Sequence, residues 1–462
     1  MTLHFNLKGI ACICLGLMLW QAVMPFALMG ATVFFLAYLW VLRHKGENIL
    51  VDGIFSVSFL LNLWYVLSSW GNVRQYDYFN FFMHADYFID NDFFIFSPKN
   101  YLQSVYFQPP LWGFMSGVVT KFMMLLGKAE ESGFDFVRFI SLFAMSGAGI
   151  IFWRLSQKFQ FKDNIKLWLF TAFVFMPINA IMANLVNNDA MVYFLMMALM
   201  YATVLWYDDS SWQNSFIISG LLFVATMIKF SALMMLPALG IVGLLKLLTV
   251  KKGTRLKICG EGAVMLLGAI LGFVWGGFLL YHHLPLTPPP LNNEFQNMEG
   301  FRLTERLFSL SQATVPFADV RLKQFEPNVW LALVKTSLFG EWTWQGIIWG
   351  YILYGLGILS AVLFVISFFS LLTRPLGRDY TFNAFLIVLV FSVLTAWINF
   401  WLDYPYFCSV EFRYTVILMP AAFLWFGHYL TQKHLPKVIN YTLAGVVVLM
   451  IFARFMLYLN TI

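Results

Sequence analysis

Charged side chains are scarce in this chain: Asp, Glu, Lys and Arg make up 11% of its 462 residues, whereas 60% are hydrophobic. The mean hydropathy is +0.74. Soluble domains carry roughly 25% charged residues and cannot bury so much apolar surface. We therefore exclude a soluble protein and expect lipid to be the solvent of most of the chain.

Cysteine is also rare, and its placement excludes two further kinds of site. None of the cysteines has the spacing of metal ligands, and all lie in or beside apolar runs. Neither a disulfide framework nor a zinc site is therefore expected. The four cysteines are Cys12, Cys14, Cys259 and Cys408.

The sequence is rich in apolar runs of roughly 20 residues, the length that crosses about 30 Å of hydrocarbon. They predict an all-α polytopic membrane protein with about 13 transmembrane helices, as a single membrane domain over 1–462. The candidate spans are 9–24, 27–42, 50–69, 137–157, 167–184, 189–207, 215–230, 231–248, 260–281, 345–371, 381–402, 414–431 and 438–459.

The basic residues set the predicted orientation. Lys and Arg cluster in short segments on one side of this arrangement, which the positive-inside rule makes cytoplasmic. The net charge of +6 is explained in this way without nucleic acid. Two long polar segments, 70–108 and 282–344, then share the outer face, where we expect them to build one site. The first belongs to an outer loop over 70–136, and the second forms the second large outer loop.

The apolar stretch 109–127 does not fit as a span. If it crossed, the basic segment 154–166 would lie outside and every later span would be inverted. We therefore expect an interfacial helix that snorkels Lys121. Pro109 and Pro110 suit its first turn, where a missing N–H costs nothing.

Titratable side chains gather in the first outer segment, where a membrane protein meets water. Five lie within sixteen residues: Asp77, His84, Asp86, Asp90 and Asp92. Transfer of a group to a hydroxyl or amine needs a carboxylate that removes the acceptor proton, and these acids could supply it. The alternative is that they solvate an exposed loop.

Several short motifs lie at predicted helix ends. They are Asp77 in the acidic loop, Gln108-Pro109-Pro110-Leu111, Arg138, Asn187-Asn188-Asp189, Lys229-Phe230-Ser231-Ala232-Leu233 with Pro237, and Phe412-Arg413-Tyr414 with Pro420. In this order they resemble the GT-C superfamily of integral-membrane glycosyltransferases. The nearest branch includes bacterial lipid A aminoarabinose transferases and protein O-mannosyltransferases.

The resemblance implies transfer of a sugar from a polyprenyl-phosphate donor to a lipid, glycan or protein acceptor at the outer membrane face. It also implies a catalytic Asp or Glu in the first outer loop. Asp77 is our first choice for the general base, because it closely follows the 50–69 span, and Asp86 is the second. The chain departs from many relatives in that Tyr78 follows Asp77.

The leaving group in such a transfer is a phosphate, whose charge needs to be neutralised by cations. Arg413 is the first candidate, with Glu411 as its partner, and a structural Glu–Arg contact is the alternative. Lys229 and Lys335 are further phosphate-binding candidates. Snorkelling is the alternative for Lys229.

Three more residues complete the candidate site. His84 is either a metal ligand or acid-base group, or a hydrogen-bonded loop histidine. Gln108 belongs to the motif before the interfacial helix, and Asp189 is either a site residue or a helix cap. We predict no metal site and no firm cofactor, and leave a divalent cation open.

Two other classes of function compete with a glycosyltransferase. A transporter or flippase would place ionisable or helix-breaking residues near the bilayer midplane and often has an internal repeat, which is not found in this sequence. A non-catalytic subunit for an envelope polymer would tolerate loss of the acidic group. We expect a bacterial inner membrane location, with the site on the periplasmic face among membrane lipids.

Overall fold

The structure is a computed structural model. It describes residues 49–69, 75, 77–93, 109–281, 298–318, 326–340, 342, 344–373, 380–432 and 437–459. The predicted spans 9–24 and 27–42, and the candidate residue Gln108, lie outside the described residues.

Seventeen α-helices are found in the described ranges. The first nine are α1 (Ile49–Ser68), α2 (Tyr78–Asp90), α3 (Leu111–Leu125), α4 (Glu130–Phe134), α5 (Arg138–Gln157), α6 (Asp163–Val174), α7 (Pro177–Ala183), α8 (Asp189–Asp208) and α9 (Trp212–Ile228). The others are α10 (Leu236–Thr249), α11 (Arg255–Tyr281), α12 (Leu303–Phe308), α13 (Val329–Phe339), α14 (Ile347–Thr373), α15 (Tyr380–Asp403), α16 (Leu418–Gln432) and α17 (Lys437–Leu459).

Seven helical segments of the described chain are long and apolar enough to cross a membrane, or eight if α6 and α7 form one bent span. The chain is thus a multi-pass all-α membrane protein. The predicted number of about 13 spans is not confirmed by this test of length and composition. Three predicted spans, 215–230, 414–431 and 438–459, correspond to α9, α16 and α17 without meeting the test.

One predicted span, 167–184, is not a single straight helix. It is divided into α6 and α7, which meet at an angle of 45°. Pro177 begins α7, and a proline inside a helical run removes a backbone donor and clashes with the preceding turn. Ser58 of α1 and Arg454 of α17 donate hydrogen bonds to backbone carbonyls at this break.

Basic side chains meet at one end of the helix bundle. Lys158, which follows α5, pairs with Asp208 at the end of α8, with 3.2 Å between Nζ and Oδ2. Lys246 of α10 and Lys257 of α11 donate to backbone carbonyls at the end of α8 and in the turn after it. We call this part of the bundle, with Lys158, Lys246 and Lys257, the basic end.

The opposite end of the bundle is held by hydrogen bonds between helix termini. Arg138, at the start of α5, donates to Val66 O of α1 at 2.7 Å and to Asn184 Oδ1 after α7 at 3.1 Å. Asn188, just before α8, donates through Nδ2 to Ile228 O at the end of α9 at 3.0 Å. The chain segments that carry the candidate residues therefore emerge close together.

Helices α2, α3 and α4 pack against one another at this opposite end. Near the start of α3, Trp112 Nε1 donates to Val186 O at 3.1 Å. After α3 the chain returns to α2, where Tyr78 Oη donates to Glu131 O at 3.4 Å. Because the chain contacts this end of the bundle both before and after α3, we expect that α3 does not extend to the basic end. Its 15 residues span about 22 Å at 1.5 Å per residue.

Candidate functional site

Five charged side chains meet at the end of the bundle opposite the basic end. We call them the charged cluster: Asp77, Asp189, Lys229, Glu411 and Arg413. All five are among the residues that the sequence singled out. Three carboxylates and two cations give the cluster a formal charge of −1 when all are ionised.

Asp77 is positioned in the cluster by a contact of Gln75, the residue two positions before it. Gln75 accepts a hydrogen bond through Oε1 from the backbone N–H of Val186 at 2.8 Å. This bond ties the segment before α2 to the connection between α7 and α8. Asp77 directly precedes α2, and Phe81 N donates to its carbonyl at 3.1 Å. The carboxylate is thereby brought close to Asp189, three residues beyond Val186.

Asp189 is the first residue of α8, and its side chain does not cap that helix. Asn188 holds the capping position of α8, so the alternative role of Asp189 as a cap is wrong. The Asp189 backbone N–H donates to Asn187 Oδ1 at 3.1 Å. Its carboxylate pairs with Lys229 instead. Lys229 directly follows α9, and its Nζ lies 5.0 Å from the ring centroid of Tyr414.

Arg413 lies at the centre of the cluster, in a 3₁₀ turn between α15 and α16. Its Nη2 lies 3.1 Å from Asp77 Oδ2, and its Nε lies 2.7 Å from Glu411 Oε2. Its Nη1 is 3.7 Å from Asp189 Oδ2. A planar guanidinium has donors on several edges, which lets one side chain hold three carboxylates.

Burial divides the cluster into an inner and an outer part. The Arg413 side chain is 10% exposed, whereas that of Asp77 is 38% exposed. Burial by itself would lower the pKa of Arg413, but Glu411, Tyr414, Asp77 and Asp189 outweigh burial and raise it above its ordinary value. Arg413 therefore stays charged, and Asp77 is the carboxylate that a substrate reaches most easily.

A small cavity of about 30 Å³ lies beside Arg413, with Gln75, Thr336, Trp342 and Glu411 in its wall. It has room for a water-sized group. Gln75 is buried, and its Nε2 has no hydrogen-bond partner among the described residues. Sequence reasoning missed Gln75 because its anchoring bond joins residues 111 positions apart. In the sequence, Gln75 stands out only as a polar amide two residues before Asp77.

The second candidate base and the candidate histidine lie outside the charged cluster. Asp86 is two and a half turns beyond Asp77, or about 13 Å along α2, and it lies beside Glu130. His84 is buried between α2 and α3, where a β-carbon at Gly113 would collide with its ring. Burial lowers the pKa of His84 from 6.5 to about 3. His84 is therefore a neutral packing residue.

Lys335 is separate from the cluster as well. It forms a fully buried ion pair with Glu326 and donates to Gln312 O at 2.8 Å. Burial lowers the pKa of Lys335, and Glu326 opposes that effect. A phosphate could reach Lys335 only by displacing Glu326. Within the described residues, no group of three or more His, Cys, Asp or Glu side chains is placed to hold a metal ion.

Comparison with known proteins adds little to this geometry. No family model matches the chain, and no curated protein matches it. Among solved structures, the crystal structure of ArnT from Cupriavidus metallidurans in the apo state is similar, with a TM-score of 0.37 and 15% identity. The match covers 84% of this chain and 78% of that chain.

Proposed function

We propose that the chain is a membrane glycosyltransferase that moves a sugar from a polyprenyl-phosphate carrier to a lipid, glycan or protein acceptor. The observation that carries the proposal is the pairing of the accessible Asp77 carboxylate with the buried Arg413 guanidinium, 3.1 Å apart. A charge at a membrane helix end is costly unless it is paired, and such groups are functional candidates by default.

Asp77 acts as the general base. The acceptor oxygen or nitrogen attacks the anomeric carbon, the bond from that carbon to the phosphate oxygen breaks, and the acceptor proton passes to Asp77. Arg413 holds the carboxylate in one orientation, which matters because a misplaced base loses much of its effect. Asp86, about 13 Å further along α2, is assigned no part in the proton transfer.

Arg413 and Lys229 together stabilise the departing phosphate. Asp189 lies between them and pairs with both, which keeps the two cations adjacent. Glu411 occupies the Nε edge of Arg413, so a phosphate approaches from the side of the exposed Asp77. Guanidinium and ammonium groups are the usual partners of phosphate oxygens. Lys335 is left out of this role because Glu326 occupies it.

The alternative of a transporter rests on the broken pair α6–α7, since discontinuous helices are frequent at transport sites. Here Ser58 donates to Val174 O, and Arg454 donates to Phe175 O, each at 2.8 Å. Carbonyls bound by the protein itself are not left to coordinate a substrate. The break is therefore assigned a structural role.

The experiment compares Asp77→Asn with Asp86→Asn. Both changes are nearly isosteric, and both lie in or directly before α2. Each variant is expressed in cells that lack the native protein, and the modified lipid, glycan or protein is followed by mass spectrometry. We expect Asp77→Asn to lower turnover by roughly 10²–10⁴, as for loss of acid-base catalysis. Asp86→Asn should stay near the parental rate.

Thermal unfolding of both purified variants controls for folding. If the Asp77 variant transferred sugar at the parental rate and the Asp86 variant did not, the base would be Asp86, and the proposal would be contradicted. Full transfer by both would leave the reaction without a base in this loop.

A further inference from the structure

A second cavity, of about 280 Å³, lies between α8, α9, α10 and α11. Its wall is almost wholly apolar and includes Trp206, Leu222, Leu247 and Ile258. It extends from the middle of α9 to the end of α10 that faces the α10–α11 connection. We call it the apolar groove. It lies toward the basic end and is thus distinct from the charged cluster.

Three helix glycines line this groove and have no packing role among the described residues. They are Gly240 and Gly243 of α10 and Gly262 of α11. A β-carbon at any of them would meet nothing within 4 Å. Glycine inside a helix is less favourable than alanine by about 1 kcal/mol, so their presence calls for another reason.

Two other glycines of α11, in contrast to those of the groove, do have a packing role. A β-carbon at Gly260 would press on Trp212, and one at Gly268 would collide with Ser219. These glycines let α11 approach α9 closely. Those in the groove keep open a space that the described side chains do not fill, which points to an apolar occupant other than these side chains.

The end of the groove is strongly basic. Lys251, Lys252 and Arg255 lie in or beside the α10–α11 connection, are exposed, and have no ion pair among the described residues. Nearby, Lys257 is partly neutralised by Glu261, with 3.5 Å between Nζ and Oε1. A ligand that fits both features has an apolar chain and an anionic head, and a membrane supplies such molecules at this depth.

We propose that the apolar groove and the α10–α11 connection bind an anionic phospholipid of the leaflet at the basic end. One acyl chain lies in the groove beside Gly243 and Gly262, and the headgroup phosphate contacts Lys251, Lys252 and Arg255. A free phosphate would leave the groove unexplained.

The test measures lipid retention by the purified full chain in native mass spectrometry. Phosphatidylglycerol and phosphatidylcholine with the same acyl chains are titrated in detergent. We expect phosphatidylglycerol to be retained at least about tenfold more strongly, since each basic residue near a lipid surface adds to the attraction. The triple variant Lys251→Gln, Lys252→Gln and Arg255→Gln should lose this preference.

A matched control and a groove variant separate charge from shape. Replacing Arg154, Lys162 and Lys166 by Gln removes the same charge near the same end but away from the groove, and should leave the preference unchanged. Gly243→Leu places a side chain in the groove from a β-carbon that meets nothing within 4 Å, and it should weaken retention of both lipids about tenfold, because apolar contact is lost.

Cys259 gives an independent readout, because it lines the groove and is exposed. With Cys12, Cys14 and Cys408 replaced by Ser, phosphatidylglycerol should slow its alkylation by N-ethylmaleimide more than phosphatidylcholine does. Equal retention of the two lipids, or an unchanged preference in the Lys251, Lys252 and Arg255 variant, would overturn the proposal. A doubled mass in place of bound lipid would assign the groove to a second copy and also overturn it.

Discussion

At the scale of single residues, Arg413 connects the inner and outer parts of the charged cluster. Its guanidinium contacts Asp77, Asp189 and Glu411 from different edges. A lysine keeps the charge but presents its donors from one point, so it cannot hold three carboxylates in the same places.

We therefore expect Arg413→Lys to lower transfer on the order of 10²-fold, the loss that follows from misplacing a reacting group. Folding and membrane insertion should survive, because the carboxylates keep a cation. Transfer assays and thermal unfolding of the purified variant test both expectations. Arg154→Lys, an exposed arginine near the basic end, is the control, and transfer at the parental rate by the Arg413 variant would make Arg413 peripheral.

His84 gives a pH-dependent prediction of stability. Its pKa is 6.5 in an unfolded chain and about 3 in the buried site. As pH falls below 6.5 the unfolded chain binds a proton that the folded chain does not, so folding loses stability. The loss reaches roughly 2 kcal/mol near pH 5, at 1.36 kcal/mol for each pKa unit.

Thermal unfolding at pH 7.5 and at pH 5.0 measures this effect in the parent and in His84→Gln. The variant is expected to be less stable at pH 7.5, because it packs less well over Gly113, but to lose less between the two values. Equal losses in the parent and the variant would show that His84 does not remain neutral in the folded protein.

The sequence identified every member of the charged cluster and ranked Asp77 before Asp86, but it held no sign of the contacts that place the two acids apart. Asp77 and Asp86 have similar local surroundings, and they are separated by contacts between distant segments. The hydrogen bond that the Val186 backbone N–H donates to Gln75 brings Asp77 close to Arg413, whereas Asp86 lies beside Glu130. Lys335 was a candidate for phosphate binding because the sequence does not show its partner Glu326, which only the fold brings near.

At the scale of helices, the break between α6 and α7 has its own supporting residue. Arg454 of α17 donates to Phe175 O at 2.8 Å and to Asn62 Oδ1 at 2.7 Å. Backbone carbonyls inside a membrane protein need such partners, because lipid offers none. Pro177 marks the break in the sequence, but no local pattern shows that Arg454 lies beside it.

We expect Arg454→Met to destabilise the protein by about 2 kcal/mol or more, the usual contribution of a hydrogen bond to a charged group. Methionine keeps the apolar stem and removes only the donors, so packing alone does not explain such a loss. Thermal unfolding in detergent measures it, with Arg154→Met as the exposed control. Equal unfolding temperatures for parent and Arg454 variant would mean that the carbonyls have other partners.

At the scale of the whole molecule, helices were the most predictable feature. Apolar runs bounded by charge coincide with α1, α5, α8, α10, α11, α14 and α15, because lipid selects such runs whatever their neighbours are. Helix number and bends were less predictable, since they depend on packing. The two ends of the bundle also separate the basic connections from the charged cluster, as the distribution of Lys and Arg indicates.

The last prediction concerns the side of the membrane on which each end lies. Helix α3 spans about 22 Å, short of the roughly 30 Å of hydrocarbon, and the chain contacts the end of the bundle with the charged cluster both at the start of α3 and after it. We therefore expect Ala129→Cys and Ser311→Cys, in a chain without its native cysteines, to react with an impermeant maleimide on intact cells. Thr254→Cys, in the α10–α11 connection, should react only after lysis. Labelling at 311 with protection at 129 would mean that α3 crosses the membrane, and it would place Ala129 and the start of α5 on the face opposite to Asp77.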